Sequence, residues 1–145
     1  MNAGAIQGAI YQALQSPLDP LLARAYTSGG ALTDQPAIYD HVPQAVDSDS
    51  DYPYVVIGDD TSAPFDTDTS QGSEATVTLH VWSRFRGRSE TKEIQRAIYD
   101  ALHRQPIAVA DRHTVDVFYE YAETILDPDG ITRHGVIRFR ATVEE

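Results

Sequence analysis

Several residue types that support particular chemistries are absent from this chain or scarce in it. Cysteine is absent, which excludes disulfide bonds and thiolate catalysis and fits a reducing cytoplasm. No apolar stretch approaches the roughly 20 residues of a membrane-spanning helix. The first residues contain neither a basic segment nor a continuous apolar one, so we expect no secretory signal.

Basic residues are also scarce, because 11 Lys and Arg face 22 Asp and Glu, giving a net charge of −11. This balance is typical of a soluble surface, and it also suits a surface that DNA passes without sticking, since it repels phosphates. Five of the 11 basic residues lie within 13 positions: Arg84, Arg86, Arg88, Lys92 and Arg96. The chain therefore has a local positive patch on an acidic body.

Apolar spacing predicts two main helices. The first covers Ala3 to Gln15 and ends at Ser16-Pro17, because the residue before a proline disfavours helical geometry. The second covers Ser89 to His103, with apolar residues three and four positions apart. A short helical piece beginning at Asp19 is also predicted, since Asp is a good N-cap and Pro suits the first helical position.

Runs of alternating or continuous apolar residues predict the strands, which are Pro36–Val42, Tyr54–Ile57, Ala75–Phe85, Thr114–Leu126 and Gly135–Val143. In Thr114–Leu126 the pattern places Val115, Val117, Tyr119 and Tyr121 on one face. The sequence DPDG between the last two strands is a strong turn signal, so they form an antiparallel hairpin. The polar segment Thr61–Gly72 is either a long loop or a protruding hairpin arm.

Together these elements predict an α+β fold. We expect a single, mostly antiparallel β-sheet with the two main helices packed on one face and a β-hairpin at the C-terminus. At 145 residues, the chain is expected to form one domain over residues 1–145.

Acidic clusters and histidines are the candidate sites for chemistry. Asp47, Asp49 and Asp51 have the spacing of the first calcium ligands of an EF-hand loop, but the required Gly and Glu are replaced by Tyr52 and Gly58. A second cluster, Asp59, Asp60, Asp66 and Asp68, could hold Mg²⁺ or act in acid–base chemistry, yet no nucleotide-binding glycine loop accompanies it. None of the five histidines has metal-ligand spacing. We therefore predict no metal site, no cofactor and no enzyme activity.

The segment from Trp82 to Arg88 is basic, with aromatic residues between the arginines. It could be a subunit interface, a solvated strand end or a nucleic-acid contact. Arg and aromatic residues are enriched at interfaces, which favours the first interpretation. Acidic loops of one copy could then meet the positive patch of the next copy in a head-to-tail ring.

Four segments carry a resemblance to a known family. They are IYDHVPQ at Ile38–Gln44, YPYVVIGDDT at Tyr52–Thr61, HVWSRFRGR at His80–Arg88 and AIYDALH at Ala97–His103. With them, the chain resembles the tail-completion, or tail-terminator, proteins of long-tailed bacteriophages and related gene-transfer particles. The likeness covers nearly the whole chain.

The resemblance implies a structural virion protein without catalytic residues or cofactors. Such a protein would be assembled in the bacterial host cytoplasm and form a ring, hexameric in this family, on the head-proximal end of the tail tube. The ring would end tube polymerisation and join the tail to the head connector. Its partners would be other copies of itself, the tail-tube protein and the connector, with DNA passing through the channel without specific binding and no membrane contact.

Carried over to residues, the resemblance makes the loop Asp59–Gly72 and the strand end Arg84–Arg88 the candidate contacts with other subunits or with the tube. The candidate residues are Asp59, Asp60, Phe65, Asp66, Asp68, Arg84, Phe85, Arg86 and Arg88. The alternative function is a soluble, non-enzymatic module that binds a ligand or a protein. A third possibility is a hydrolase built on the acidic loops.

Overall fold

A computed structural model describes residues 3–64, 66, 72–108 and 114–144. In chain order the elements are α1 (Ala3–Leu18), β1 (Arg24–Tyr26), β2 (Leu32–Pro36), β3 (Ile38–Tyr39), a 3-10 turn (Asp49–Asp51), β4 (Tyr54–Pro64), β5 (Gly72–Ser83), α2 (Ser89–Leu102), β6 (Pro106–Ala108), β7 (Thr114–Leu126) and β8 (Arg133–Glu144). No helix in these ranges is long and apolar enough to cross a bilayer.

The six-stranded main sheet has the order β3-β4-β5-β8-β7-β6, and β1 and β2 form a separate antiparallel pair. Among the described pairs, β3 with β4 is parallel and the others are antiparallel. The α+β fold with a mostly antiparallel sheet, two main helices and a C-terminal hairpin is therefore confirmed. The small β1–β2 sheet and strand β6 were not predicted from the sequence.

The first helix is longer than predicted, because α1 runs through Pro17 to Leu18. A proline in the last turn lacks one helical hydrogen bond, but Leu18 is fully buried, and its packing holds that turn in place. The predicted helical piece after Asp19 does not form. The amides of Leu21 and Leu22 both bond to the carbonyl oxygen of Leu18, at 3.0 and 3.1 Å, and close a turn instead.

One face of the main sheet, called here the helix face, packs against α1 and α2. In β5, the alternating residues Val77, Leu79 and Val81 are buried on the helix face. The opposite, outer face carries His80 and Trp82. The core thus lies between one sheet face and two amphipathic helices, and cross-strand partners keep residues on their faces.

A β-bulge in β7 makes one predicted side-chain orientation wrong. Val117 pairs with Ala141 and Tyr119 with Phe139, which places both on the helix face. The register then shifts between Tyr119 and Tyr121, so that Tyr121 pairs with Arg138 and lies on the outer face. An extra residue in one strand reverses the alternation after it, and the apolar pattern alone does not reveal this.

The segment Thr61–Gly72 contributes to a hairpin arm in the part that the structure describes. Strand β4 continues past the predicted end at Ile57, and its pairing with β5 extends from Thr61 opposite Thr76 to Pro64 opposite Ser73. Strand β3, by contrast, covers only Ile38–Tyr39 of the predicted Pro36–Val42. It pairs with β4 at Val55 and Val56, so the outer edge of β4 has a strand beside it over a short stretch.

Candidate functional site

Arg84, at the end of β5, is held by contacts within its own chain. One guanidinium nitrogen lies 2.8 Å from Asp49 Oδ1, and Nε lies 3.4 Å from Thr132 Oγ1. The guanidinium carbon is 4.4 Å from the ring centroid of Tyr52. The hydrogen bond to Asp49 raises the pKa of Arg84 further. Arg84 therefore ties the Asp49–Asp51 turn to the sheet, and little of its side chain is left for a partner.

The rest of the patch is available at the surface. Phe85, Arg86 and Arg88 are exposed, and 51% of Phe85 is accessible to solvent. Gly87 has φ of 83°, a left-handed turn conformation that glycine adopts without strain. The start of this turn is fixed, because the Phe85 amide donates to Ser83 Oγ at 3.1 Å and that hydroxyl donates to Glu90 at 2.6 Å. The turn thus presents one aromatic ring and two arginines.

Two further apolar residues lie at the same end of the sheet and were not predicted. Leu126 and Ile131 are 46% and 60% exposed. They belong here because Leu126 pairs with Arg133, which in turn pairs with Ser83, the last residue of β5. The surface formed by Phe85, Arg86, Arg88, Leu126 and Ile131 is called the basic end. The feature of the sequence that could have located Ile131 is the DPDG turn, which brings this residue to the tip of the β7–β8 hairpin.

Asp129 organises that hairpin tip. Its carboxylate accepts hydrogen bonds from the Thr132 amide at 2.8 Å, the Thr132 hydroxyl at 2.7 Å and the Ile131 amide at 2.8 Å. These bonds, the Thr132 amide first, lower the pKa of Asp129 to about 2 from the usual 3.8. The turn closes through the Gly130 amide, which bonds to the Asp127 carbonyl oxygen at 2.9 Å.

Asp129 therefore makes stability depend on pH in the acid range. Because the folded pKa is below the unfolded one, the ionised carboxylate stabilises the fold above pH 3.8, and this stabilisation is lost as the pH falls toward 2. In Asp129→Asn we expect a lower free energy of unfolding near neutral pH and a smaller further loss between pH 3.8 and pH 2. Urea denaturation across that range measures both. Parallel curves for the two proteins would contradict this role of Asp129.

The acidic candidates lie along the half of β5 that is farther from the basic end. Asp59 and Asp60 form a β-bulge in β4, since the register shifts between Gly58 and Thr61. Asp60 and Asp66 are exposed, and Asp66 Oδ1 accepts a hydrogen bond from the Gly72 amide at 3.3 Å. The side chain of Asp59, and the residues Phe65 and Asp68, lie outside the described part of the structure. The name acidic end is used here for Asp60 and Asp66.

The two candidate surfaces are far apart in one copy of the chain. Strand β5 runs from Gly72, beside the acidic end, to Ser83, beside the basic end, and it has 12 residues. At about 3.3 Å per residue, Asp66 beside Gly72 is about 36 Å from Ser83, and Asp60, level with the middle of β5, is about 20 Å from Ser83. The acidic and basic residues therefore cannot form one catalytic centre within a subunit. They can meet only when a second molecule brings its own surface.

The Asp47–Asp51 segment is not arranged as a calcium loop. The carboxylate of Asp51 accepts hydrogen bonds from the amides of Asp47 and Ser48, at 3.0 and 3.1 Å, and from the Ser48 hydroxyl at 3.1 Å. Burial alone would raise the pKa of Asp51, but these bonds outweigh it and lower the pKa overall. Asp49 is paired with Arg84. Among the described residues, no group of three or more His, Asp or Glu is placed to hold a metal ion.

Two histidines stack with the single tryptophan on the outer face. His80 Nδ1 lies 2.8 Å from His134 Nε2, and the rings of Trp82 and His134 stack with centroids 3.9 Å apart. Burial lowers the pKa of His134, and the neighbouring His80 lowers it further. His80 is half-buried. This arrangement stabilises the outer face of the sheet.

Comparison with known proteins identifies a family of similar sequences. Residues 8–144 match the family model of tail completion protein gp17. Tail completion protein gp17 of Bacillus phage SPP1 is 37% identical over 102 residues, which cover 70% of this chain and 75% of that protein. The match to the family model includes both the acidic and the basic end.

Two solved structures share the fold. A chain in the virion of a native gene transfer agent particle has a TM-score of 0.77 and 26% identity, covering 99% of this chain and 97% of that chain. The structure of the bacteriophage SPP1 gp17 protein has a TM-score of 0.53 and 29% identity, covering 96% of this chain and 88% of that chain.

Proposed function

This chain belongs to the tail completion protein gp17 family and is a structural protein of the virion tail, and from this premise we propose that its copies form a ring that caps the tail tube. The ring, hexameric in this proposal, occupies the head-proximal end of the tube and ends its polymerisation. The whole chain, residues 1–145, acts as one assembly unit. The relatives that support this role are found in a phage and in a gene-transfer particle.

The observation that carries the proposal is the separation of two surfaces of opposite charge. Asp66 lies beside Gly72 at one end of the 12-residue strand β5 and Asp60 lies beside its middle, while the basic end lies past Ser83 at the other end. A surface that is complementary to a different part of the same molecule favours head-to-tail contacts, and such contacts close into a ring when the rotation between copies allows it. Charge complementarity sets the register of such contacts more than it adds affinity.

The remaining partners follow from the position of the ring. One face would meet the tail-tube protein and the opposite face the head connector, with DNA passing through the channel. The net charge of −11 suits a wall that DNA slides past without specific binding. In this proposal the protein has no enzyme activity and no cofactor, because Asp49 and Asp51 serve the fold and the other acidic residues serve assembly.

Reversing the charge of Arg86 and Arg88 tests the basic end. We expect Arg86→Glu with Arg88→Glu to weaken association of the subunits by at least about tenfold while leaving the monomer folded, because both side chains are exposed. Sedimentation and native mass spectrometry measure association, and circular dichroism measures folding. Arg84 is kept, because its contacts with Asp49 and Tyr52 stabilise the monomer.

The matched control is Arg96→Glu with Arg104→Glu, which makes the same change in net charge at two exposed positions further from Arg88, in the middle of α2 and just after its end. This control should assemble like the unaltered chain. If both double variants lose assembly equally, net charge decides the result and the basic end is not the contact. If neither does, Arg86 and Arg88 are only solvated surface.

A further inference from the structure

Exposed apolar surface in the described residues is concentrated on one strand. Of eight large apolar side chains that are exposed, five lie on β7: Phe118, Tyr119, Tyr121, Ile125 and Leu126. Their exposed fractions run from 38% to 46%. Three of them, Phe118, Tyr121 and Ile125, share the outer face, and concentrated apolar exposure of this kind is typical of a surface that another molecule covers.

The edge of β7 that points away from β8 has a neighbouring strand over its first half only. Strand β6 pairs with Thr114–Asp116, and two hydrogen bonds extend this cover. The Arg104 amide donates to the Val117 carbonyl oxygen at 2.7 Å, and the Tyr119 amide donates to His103 Nδ1 at 3.0 Å. From Glu120 to Leu126, no described strand lies beside this edge. An open edge presents unpaired backbone donors and acceptors, to which another strand can add.

The opposite side of the same sheet has a second open edge. Strand β3 pairs with β4 only at Val55 and Val56, and no described strand borders β4 from Gly58 to Pro64. A shallow groove of about 170 Å³ lies beside its start, lined in part by Gln7, Asp40 and Gly58. The molecule therefore has two uncovered strand segments of similar length on its two sides.

We propose that these segments pair between neighbouring copies, with Glu120–Leu126 of one subunit adding as a strand to Gly58–Pro64 of the next. This proposal rests on the proposed ring, and it names the contact that joins the subunits. Strands β4 and β7 run in opposite directions, because three antiparallel pairings separate them. Copies related by rotation about a ring axis would therefore join in an antiparallel pair.

With Thr61 opposite Glu123, each residue of one strand meets a residue of the other strand that belongs to the same face of the sheet. Thr61 pairs with Thr76 and Glu123 with Val136, and both partners lie on the outer face. Next to them, Ser62 would face Ala122, and both belong to the helix-face alternation, through Ala75 and Ile137. A slip by one residue would exchange the faces, so the register is specified.

The same register keeps the acidic residues apart. Asp60 would lie opposite Thr124, and Glu120 opposite Pro64, so that no carboxylate faces another across the new pair. Acidic residues and a bulge on an open edge also disfavour pairing with unrelated strands. They would make this edge selective for its partner.

The register also determines the inclination of the strands to the ring axis. Within one copy, Thr61 pairs with Thr76 on β5. Glu123 is level with His80 on β5, because both pair with Val136, and His80 is four residues further along β5 than Thr76. That shift is about 13 Å over four strand spacings of about 19 Å in total, an inclination of about 35°. Closed sheets have strands inclined by roughly 35–45°.

Disulfide trapping tests the pairing, because the chain has no cysteine of its own. Ser62 and Ala122 are both exposed. In the double variant Ser62→Cys with Ala122→Cys, we expect oxidation to link neighbouring copies by disulfide bonds, seen as a ladder of covalent oligomers on a non-reducing gel. The matched control is Thr61→Cys with Ala122→Cys, which puts the thiols on opposite faces, so its ladder should be at least about tenfold weaker. A bond within one copy is excluded, since three strand spacings, about 14 Å, separate the sites.

The outcomes separate this contact from the ring itself. A ladder for Ser62 and Ala122 alone supports the pairing. Equal ladders in both double variants, or a dimer from Ala122→Cys by itself, overturns it. If the unaltered chain forms oligomers in native mass spectrometry but no ladder appears, the edge pairing is wrong and the ring remains. If the unaltered chain stays monomeric with and without tail-tube protein, both are wrong.

Discussion

Leu79→Asp is expected to leave the chain unfolded at room temperature. Leu79 has no exposed surface and lies in the centre of the sheet, between Ile57 on β4 and Ile137 on β8. The change removes a buried apolar side chain and places an unpaired carboxylate in the core, at a cost of about 5 kcal/mol or more. Domains of this size are stable by roughly 5–15 kcal/mol. Circular dichroism and the dispersion of amide signals in NMR spectra measure the loss.

The matched control places the same carboxylate on the outer face of the same strand. Thr76→Asp should fold, with a free energy of unfolding within about 1 kcal/mol of the unaltered chain, because Thr76 is only half-buried. A folded Leu79→Asp protein would show that α1 and α2 do not cover the sheet as described.

Gly135→Ala is expected to destabilise the fold by about 1–3 kcal/mol, because it forces α2 away from the sheet. A Cβ atom at Gly135 would lie 2.5 Å from Thr91 Cγ2 and 2.9 Å from Gln95 Nε2. Thr91 is fully buried and cannot rotate away. Gln95 Nε2 also donates to the carbonyl oxygens of Glu123 and Val136, at 3.0 and 3.1 Å, so its displacement breaks two further contacts.

Gly8→Ala is the control, because a Cβ atom there has no atom within 4 Å. It lies inside α1, where alanine is favoured over glycine by up to about 1 kcal/mol. Urea denaturation should show the two glycine variants changing stability in opposite directions. If Gly135→Ala is as stable as the unaltered chain, α2 does not approach the sheet this closely.

Sequence periodicity predicted much of the fold, because burial on one face leaves a direct signal. The bounds of β7 agree with the predicted strand, and α2 ends one residue earlier than predicted, since each carries a long regular apolar pattern. The prediction was wrong where a long-range contact overrides local preference. Leu18 holds the end of α1 through Pro17, and the bulge after Tyr119 moves Tyr121 to the other face.

The candidate site was predicted less completely than the fold. Five of the candidate contact residues are exposed in the structure: Asp60, Asp66, Phe85, Arg86 and Arg88. Sequence could not separate Arg84 from the other arginines, because its partners Asp49 and Thr132 are 35 and 48 residues away in the chain. It also could not place Leu126 and Ile131 at the same end of the sheet as Phe85, since this follows from the register of the strands.

The central claim is that copies of this chain form a ring that stops a growing tail tube. Electron microscopy of the unaltered chain mixed with polymerising tail-tube protein tests it most directly, together with native mass spectrometry of the chain alone. We predict closed rings, one at the end of each tube, and tubes that stop elongating when the chain is added. A strictly monomeric chain that leaves tube length and tube ends unchanged would contradict the claim.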